Sequence, residues 1–467
     1  MAEPQQEVFS FEGVRLQEFE VQGLFGEFDY RIPLRLNEHV TAIIAPNGTG
    51  KTLCLRMIAG LFEHRWSVFY DTDFGRAGYT FSDGTVVTIE KRPIPADRDE
   101  GDVDASVHIR ILPARGEKAD WSPRFSDPKR AIHLDRYLPF LTRVAGDKWR
   151  HDHSGEILGL PEIVEAYGES LPGGIRTKMY GKVPEALLAL TREIDCRLIE
   201  TQRLLILKDE QREVYYGPPR KARSTLAITQ KAQTLKEIIS KEINAYAALS
   251  QSLDRSFPKR VIANTTLLSA EGLGDQLDEL DTKRRELMEA GILDTETDDP
   301  VELPEGPLEN AIARVLQVYA DDTKQKLSSL SPLLAKIKLF KELIDQRFTT
   351  KDVTISKQNG IDVFFKGNIV PLDKLSSGEQ HQLVLFFELL FEIKKNSLIL
   401  IDEPELSLHV AWQKKFIGDL INIIKLNKFD VVLATHSPQL IGRWNDLVVE
   451  LGDVYEGEYS EEEDGEK

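Results

Sequence analysis

The chain has 467 residues, 41% of them hydrophobic and 29% charged, which predicts a folded protein of two or three structural units. Its only cysteines, Cys54 and Cys196, exclude a disulfide framework and favour a reducing compartment, so we expect a cytoplasmic protein. With 77 acidic against 59 basic residues the formal charge is −18, which disfavours nucleic-acid binding except through a local basic patch. No apolar run is long enough to cross a membrane, and residues 1–13 lack the plan of a signal peptide, so no membrane partner is expected.

Strand and helix patterns alternate through residues 1–216, which we take as one segment. Alternating polar and apolar residues at 14–21 predict a half-buried strand, and residues 39–62 read as an apolar strand, a Gly-containing loop and a helix. Further elements are predicted as strands at 84–92 and 106–112, a helix at 183–194 and a strand within 195–207. Residues 115–182 carry no clear pattern.

The middle of the chain is helical in its periodicity. Apolar residues recur three or four apart over 224–257, where Pro258 should end the pattern, and a second helical stretch runs near 268–290. A third pattern, over 307–347, would make a helix about 60 Å long with a kink at Pro332. Residues 217–348 therefore predict a projecting helical insertion, either a short coiled coil or a bundle. The alternative is three core helices of one larger domain.

Strands return in the third segment, residues 349–467. The stretches "NSLILIDEPELSLH" at 396–409 and "FDVVLATHSPQLI" at 429–441 each predict an apolar strand that ends in polar residues. Strands alternating with helices indicate an α/β fold with a mainly parallel sheet, whose ligands gather at the carboxyl ends of the strands. From about residue 456 the chain is strongly acidic, which predicts a disordered, solubilising tail, with a docking segment as the alternative.

A phosphate-binding loop is predicted at "APNGTGKT", residues 45–52. Between a strand and a helix, two glycines allow backbone N–H groups to point inward at the β- and γ-phosphates of ATP. Lys51 would add a positive charge and Thr52 a ligand for Mg²⁺. The first glycine of the usual pattern is replaced by Ala45. The residues predicted to bind ATP here are Asn47, Gly48, Thr49, Gly50, Lys51 and Thr52.

Two carboxylates and a histidine follow predicted strands in the third segment. Asp402 suits a Mg²⁺ contact, and Glu403 could act as the general base that activates the attacking water. A helix cap is the simpler alternative for this pair. His436 could hydrogen-bond the γ-phosphate and sense its loss, although a lone histidine is more often a satisfied structural residue.

A second anion site is predicted at "LSSGEQ", residues 375–380. A serine at the start of a helix presents its hydroxyl, free N–H groups and the positive end of the helix dipole together. The helix behind it is apolar on nearly every face, so it should be buried and hold the turn rigidly. An ordinary helix cap would need the serine but not the whole run. The residues concerned are Ser376, Ser377, Gly378 and Glu379.

Taken together, "NGTGKT", "LSSGEQ", "LILIDEPE" and "ATHS" resemble the motifs of ABC-type ATPases of the SMC, RecF and OLD group. The resemblance implies a split head, with a mainly parallel sheet, an antiparallel β-subdomain and a coiled-coil insertion. It also implies a head-to-head dimer, in which "LSSGEQ" binds the γ-phosphate on the other subunit's Lys51 loop. Gln202 would then be a Mg²⁺ ligand, although Arg203 beside it is an alternative. His409 stands where transporters have an aspartate, which weakens a transporter assignment.

Residues 15–62, 196–207 and 371–452 also resemble the ATPases of anti-phage defence systems, PARIS most of all, with Septu and retron systems as relatives. That resemblance implies a slow, regulatory ATPase in a higher homo-oligomer. It would hold a separate Toprim-type effector nuclease and release it on sensing a phage trigger protein. The alternative is a RecF- or SMC-like repair ATPase that clamps DNA directly. The basic run at 220–223 could contact nucleic acid or an acidic trigger protein, but a solvated surface cluster is the simpler explanation.

Overall fold

The computed structural model describes most of the chain, in eleven stretches. These are residues 13–93, 105–123, 138, 140–145, 148–151, 157–167, 181–200, 205–206, 225–264, 269–294 and 309–451. Within these stretches, no helix is both long enough and apolar enough to cross a membrane.

The chain forms two compact units. The first comprises Met1–Thr201 and Lys394–Lys467, and the second comprises Gln202–Ile393. The segment boundaries expected at residues 216 and 348 stay predictions.

A parallel sheet and an antiparallel sheet account for most strands of the first unit. Its strands are β1 Leu16–Leu24, β2 Phe28–Pro33, β3 Val40–Ile44, β4 Arg76–Phe81, β5 Val86–Pro93, β6 Ala105–Leu112, β7 Ala119–Trp121, β8 Leu141–Ala145, β9 Lys148–His151, β10 Ile157–Gly159, β11 Cys196–Glu200, β17 Leu398–Asp402, β18 Asp430–Thr435 and β19 Val448–Glu450. The parallel sheet has the order β11-β17-β18-β3-β19, and the antiparallel sheet has the order β2-β1-β4-β5-β6-β7. The strands β8 to β10 form a small third sheet, in a region where the sequence carried no clear pattern.

Helices complete the first unit. They are α1 Lys51–Glu63, α2 Ser67–Asp71, α3 Leu160–Tyr167, α4 Glu185–Glu193, α10 Val410–Asn427 and α11 Pro438–Ile441. The helix α1 is apolar on most of its surface because it packs against the parallel strands β11, β17 and β18. The strands and helices predicted between residues 14 and 200 are confirmed.

The second unit is built from long helices and one small sheet. Its helices are α5 Ala227–Ala263, α6 Ala270–Glu289, α7 Asn310–Ser329, α8 Ser331–Asp345 and α9 Ser377–Phe387, and α9 continues into a π-helical turn at Glu388–Glu392. Its strands are β12 Leu205–Ile206, β13 Thr225–Leu226, β14 Asp352–Ser356, β15 Gly360–Phe365 and β16 Asn368–Val370. The helices α6 and α7 pack together, α5 packs on α7, and α5 also packs on β15 and α9.

Two expectations about the helices were wrong. The helix α5 does not end at Pro258 but runs through it to Ala263. Ion pairs from α5 to α7 lie on both sides of this proline, at Asp254 and at Arg260, so packing outweighs the hydrogen bond that proline removes.

The single helix expected over residues 307–347 is two helices, α7 and α8, with a break at Leu330. Pro332 lies in the first turn of α8, where backbone N–H groups have no acceptor within the helix, so a proline costs no hydrogen bond there. It therefore starts a new helix instead of kinking an existing one. With a parallel sheet, antiparallel sheets and a helical region, the structure confirms the predicted α/β fold class.

Candidate functional site

The phosphate-binding loop joins β3 to α1 in the first unit. Gly48 and Gly50 both have left-handed backbone angles, with φ of 85° and 92°. A Cβ atom on Gly50 would also lie 2.8 Å from Cδ2 of Leu24, so packing as well as conformation requires glycine there. The helix α1 has no side chain capping its N-terminus. Its first N–H groups are therefore left for an anion.

Lys51 is buried at the centre of this loop. Its Nζ donates hydrogen bonds to the backbone oxygens of Ala45, at 2.7 Å, and Pro46, at 2.9 Å. Burial lowers the pKa of Lys51, and three nearby carboxylates partly oppose that shift. These carboxylates belong to Glu403, Asp402 and Glu405. The amine is thus held inside the loop with negative charge behind it, which suits a lysine that exchanges backbone oxygens for phosphate oxygens.

A hydroxyl and a carboxylate meet beside Lys51. The Oγ1 of Thr52 donates to Oδ2 of Asp402 across 2.8 Å, which links α1 to the end of β17. Mg²⁺ prefers oxygen ligands and is often held by only one or two protein groups together with phosphate oxygens and water. In the part of the chain that the structure describes, no group of three acidic, histidine or cysteine side chains could hold a metal alone. Thr52 and Asp402 fit a Mg²⁺ that arrives with ATP.

Glu403 and His436 follow two neighbouring strands. In the parallel register Asp402 pairs with Ala434, so the residues after β17 and β18 come out at the same edge of the sheet. Glu403 has a left-handed backbone, with φ of 45°, although it is not a glycine, and its N–H donates to the oxygen of Ala434. Strained backbone of this kind concentrates at functional sites. The Nδ1 of His436 lies 3.7 Å from Oε1 of Glu403.

Sequence reasoning missed Glu405, the third carboxylate at this edge. Its side chain is only 5% exposed and contacts both Thr435 and His436. The signal was present in the "EPE" spacing, because the second glutamate comes out of the same strand end.

Sequence reasoning also missed Phe25, in the turn between β1 and β2. Its ring lies against the phosphate loop, since a Cβ on Gly50 would be 3.2 Å from Cε2 of Phe25. The residue is 46% exposed, so its ring is accessible to a ligand. It offers a ring face on which a nucleobase could stack.

The turn of residues 375–380 lies in the second unit, at the start of α9. Ser376 caps the helix by accepting from the N–H of Glu379, while the Glu379 carboxylate accepts from the backbone N–H and the hydroxyl of Ser376, both at 2.9 Å. Burial would raise the pKa of Glu379, but hydrogen bonds from Lys351 and Ser376 outweigh burial and lower it. Ser376 and Ser377 are exposed. The turn is therefore held by its own hydrogen bonds, with both serines at the surface.

Of the residues predicted for the ATP site, those of the phosphate loop come together with Asp402, Glu403 and His436 in the first unit. Ser376, Ser377, Gly378 and Glu379 are in the second unit. Gln202, Arg203, the basic run at 220–223 and the acidic tail lie outside the described residues.

Residues 226–441 match the AAA_15 family, described as an AAA ATPase domain. The match includes "LSSGEQ", Asp402, Glu403 and His436, and leaves out the Lys51 loop. No curated protein matches the chain in sequence.

The solved structures that are similar to the chain include three SMC head domains. One is the Smc head domain of Pyrococcus furiosus, with an extended coiled coil and bound to the C-terminal domain of ScpA. It is 12% identical, with 94% of this chain and 93% of that chain covered and a TM-score of 0.35. An SmcHead bound to the C-winged helix domain of ScpA is 12% identical, with 93% of each chain covered and a TM-score of 0.33. The SMC head domain of Thermotoga maritima is 13% identical, with 94% and 95% covered and a TM-score of 0.32. The family match and the geometry of the site support an ATPase.

Proposed function

We propose that this chain binds Mg-ATP at the edge of its parallel sheet and hydrolyses it slowly, as a regulatory ABC-type ATPase. The observation that supports this most is the convergence of Lys51, the Thr52–Asp402 pair, Glu403 and His436 at one strand edge. Ligands of parallel sheets bind at such an edge. A structural role alone would not explain an uncapped helix N-terminus next to a buried lysine.

The residues would divide the work as follows. Lys51 and the N–H groups of α1 would bind phosphate oxygens, and Thr52 and Asp402 would hold Mg²⁺, whose charge would offset that of the phosphates. Glu403 accepts a proton from the attacking water, and His436 donates a hydrogen bond to the γ-phosphate. Phe25 offers its ring to the adenine.

This ATPase is expected to complete its site with a second copy of the chain. Ser376 and Ser377 are exposed and, together with Gly378 and Glu379, form a turn at the start of α9, where the positive end of the helix dipole suits an anion. In the group of ABC-type ATPases that the motifs resemble, this turn binds the γ-phosphate held by the partner subunit. A head-to-head dimer would place two Mg-ATP between the two subunits.

The ATPase proposal predicts different defects for two substitutions. Lys51→Ala should abolish ATP binding, because the phosphates lose their buried counter-charge. Glu403→Gln should bind ATP normally but hydrolyse it about 10²–10⁴-fold more slowly, because it lacks the general base. Calorimetric binding and phosphate release measure the two properties.

Glu450→Gln is the matched control, since Glu450 is an exposed carboxylate at the end of β19, which pairs with β3 in the same parallel sheet. Equal hydrolysis by wild type and Glu403→Gln would refute the general-base role. Normal ATP binding by Lys51→Ala would refute the site itself.

We further propose that the ATPase is the sensor of a cytoplasmic anti-phage system. The sequence motifs resemble those of AriA, the ATPase of PARIS, and this resemblance supports the role. The chain would then scaffold a separate Toprim-type nuclease in a homo-oligomer and release it on binding a phage protein. The charge of −18 is consistent with protein partners and disfavours direct DNA binding.

Co-purification tests this role. The chain is expressed with the products of its neighbouring genes, and the complex is isolated with and without ATP. Retention of a nuclease by wild type, and its release by a phage protein, would support the proposal. Hydrolysis stimulated by DNA, with no nuclease retained, would replace it with the repair ATPase.

A further inference from the structure

A second carboxylate is buried two residues beyond Glu403. The side chain of Glu405 is only 5% exposed, in the 3₁₀ turn Pro404–Ser407 that follows β17. Burying a charged group is unfavourable unless it is well hydrogen-bonded. A buried glutamate in a short surface turn therefore needs a specific set of donors.

All of those donors come from the segment that carries His436. The Oε1 of Glu405 accepts from Oγ1 of Thr435, at 2.7 Å, and from the backbone N–H of His436, at 2.9 Å. The ring Nδ1 of His436 lies 3.2 Å from the same oxygen. The other oxygen, Oε2, has no hydrogen-bond partner among the described residues. Glu405 thus holds the main chain at His436 by a hydrogen bond, and its carboxylate lies beside the ring of the same residue.

A closed set of buried hydrogen bonds supports this arrangement. The N–H of Ser437 donates to Oγ1 of Thr435, and the hydroxyl of Ser437 donates to Oε1 of Gln413 on α10. The Nε2 of Gln413 in turn donates to the backbone oxygens of Glu405 and Leu408. The turn after β17 and the segment after β18 are therefore tied to each other and to α10. Such networks fix geometry because every member restrains the next.

We propose that Glu405 is a positioning residue that sets the ring of His436 relative to Glu403. This inference rests on the proposed ATPase function. With Nδ1 of the ring facing the carboxylates, the opposite nitrogen, Nε2, is left for a phosphate oxygen. Glu405 acts through His436 and need not contact the nucleotide.

The first test measures hydrolysis in a double-mutant cycle. Glu405→Ala should lower kcat about tenfold or more and leave the dissociation constant for ATP within about twofold. His436→Ala should have a similar effect, and the double variant should be no slower than His436→Ala alone, because Glu405 acts only through the histidine. Additive losses would overturn the proposal, and so would an unchanged kcat in Glu405→Ala.

The second test does not require activity. The nine histidines are labelled with ¹³C at Cε1, and the signal absent from His436→Ala is assigned to His436. Without nucleotide, Glu405→Ala should change the chemical shift of this signal. The control Ile417→Ala removes a buried side chain of α10 but leaves Glu405 in place, so it should not change the shift. An unmoved His436 signal would overturn the positioning role.

Two further variants keep the outcomes separable. If Glu405→Ala does not fold, Glu405→Gln goes through both tests, since it keeps the volume and one acceptor oxygen. If wild type fails to hydrolyse ATP and Lys51→Ala binds ATP as wild type does, the proposed function fails. In that case the histidine signal alone decides whether Glu405 positions His436.

Discussion

At the scale of single residues, Phe25 is proposed to contact the base of ATP from the turn between β1 and β2. Its ring touches the Gly50 region, and its backbone, with φ of 56°, is strained. Phe25→Ala should weaken ATP binding by about 1–3 kcal/mol, the usual worth of stacking a base on an aromatic ring. Alanine has the same Cβ, so the backbone strain is unchanged. Calorimetry measures the affinity.

Inorganic triphosphate supplies the control for this prediction. It uses the phosphate loop but has no base, so its affinity should be the same for wild type and Phe25→Ala. Phe25→Trp should keep most of the affinity for ATP. An equal loss for ATP and triphosphate would mean that Phe25 supports the loop and does not contact the base.

At the scale of elements, the cap of α9 depends on an ion pair between Lys351 and Glu379. The pKa of Glu379 is lower in the folded chain than its ordinary value of 4.5. The pair therefore stabilises the fold above that ordinary pKa, and its contribution is lost as the pH falls through the lower, folded pKa. Lys351→Ala should lower the melting temperature at pH 7. The difference from wild type should shrink below about pH 4.

Lys374→Ala is the matched control, because Lys374 is an exposed lysine just before the same helix. It should change the melting temperature little at either pH, as exposed charges contribute about 0–1 kcal/mol. A difference between wild type and Lys351→Ala that stays constant down to pH 3 would contradict the assignment to Glu379.

The same scale shows what the sequence could reveal. The strand ends that carry Asp402 and His436 were predictable, because apolar runs followed by polar residues identify the edge of a parallel sheet. The hydrogen-bond partners of Glu405 were not predictable, because they depend on which groups at the end of another strand face its carboxylate. Local patterns also failed at Pro258 and around residue 330. There, packing and proline geometry decided where a helix continues and where it begins.

At the scale of the whole molecule, the central question is whether one ATP site uses two chains. The phosphate loop and the turn of residues 375–380 lie in different compact units. If sites are shared, Ser376→Arg should be inactive alone because its arginine blocks the phosphate bound by the partner. Lys51→Ala should be inactive alone because it cannot bind its own phosphate. In a heterodimer of the two, one site combines the intact loop of one chain with the intact turn of the other. An equal mixture should then recover roughly a quarter of wild-type hydrolysis, since half of the dimers are mixed and each has one good site.

The control mixture pairs Lys51→Ala with Glu403→Gln. Both substitutions damage the half of the site that contains the phosphate loop, so each site of their heterodimer has one defect and hydrolysis should not recover. Recovery in the first mixture but not in the second would place the turn of residues 375–380 opposite the partner's Lys51. No recovery in either mixture, with each variant folded, would mean that each chain completes its own site.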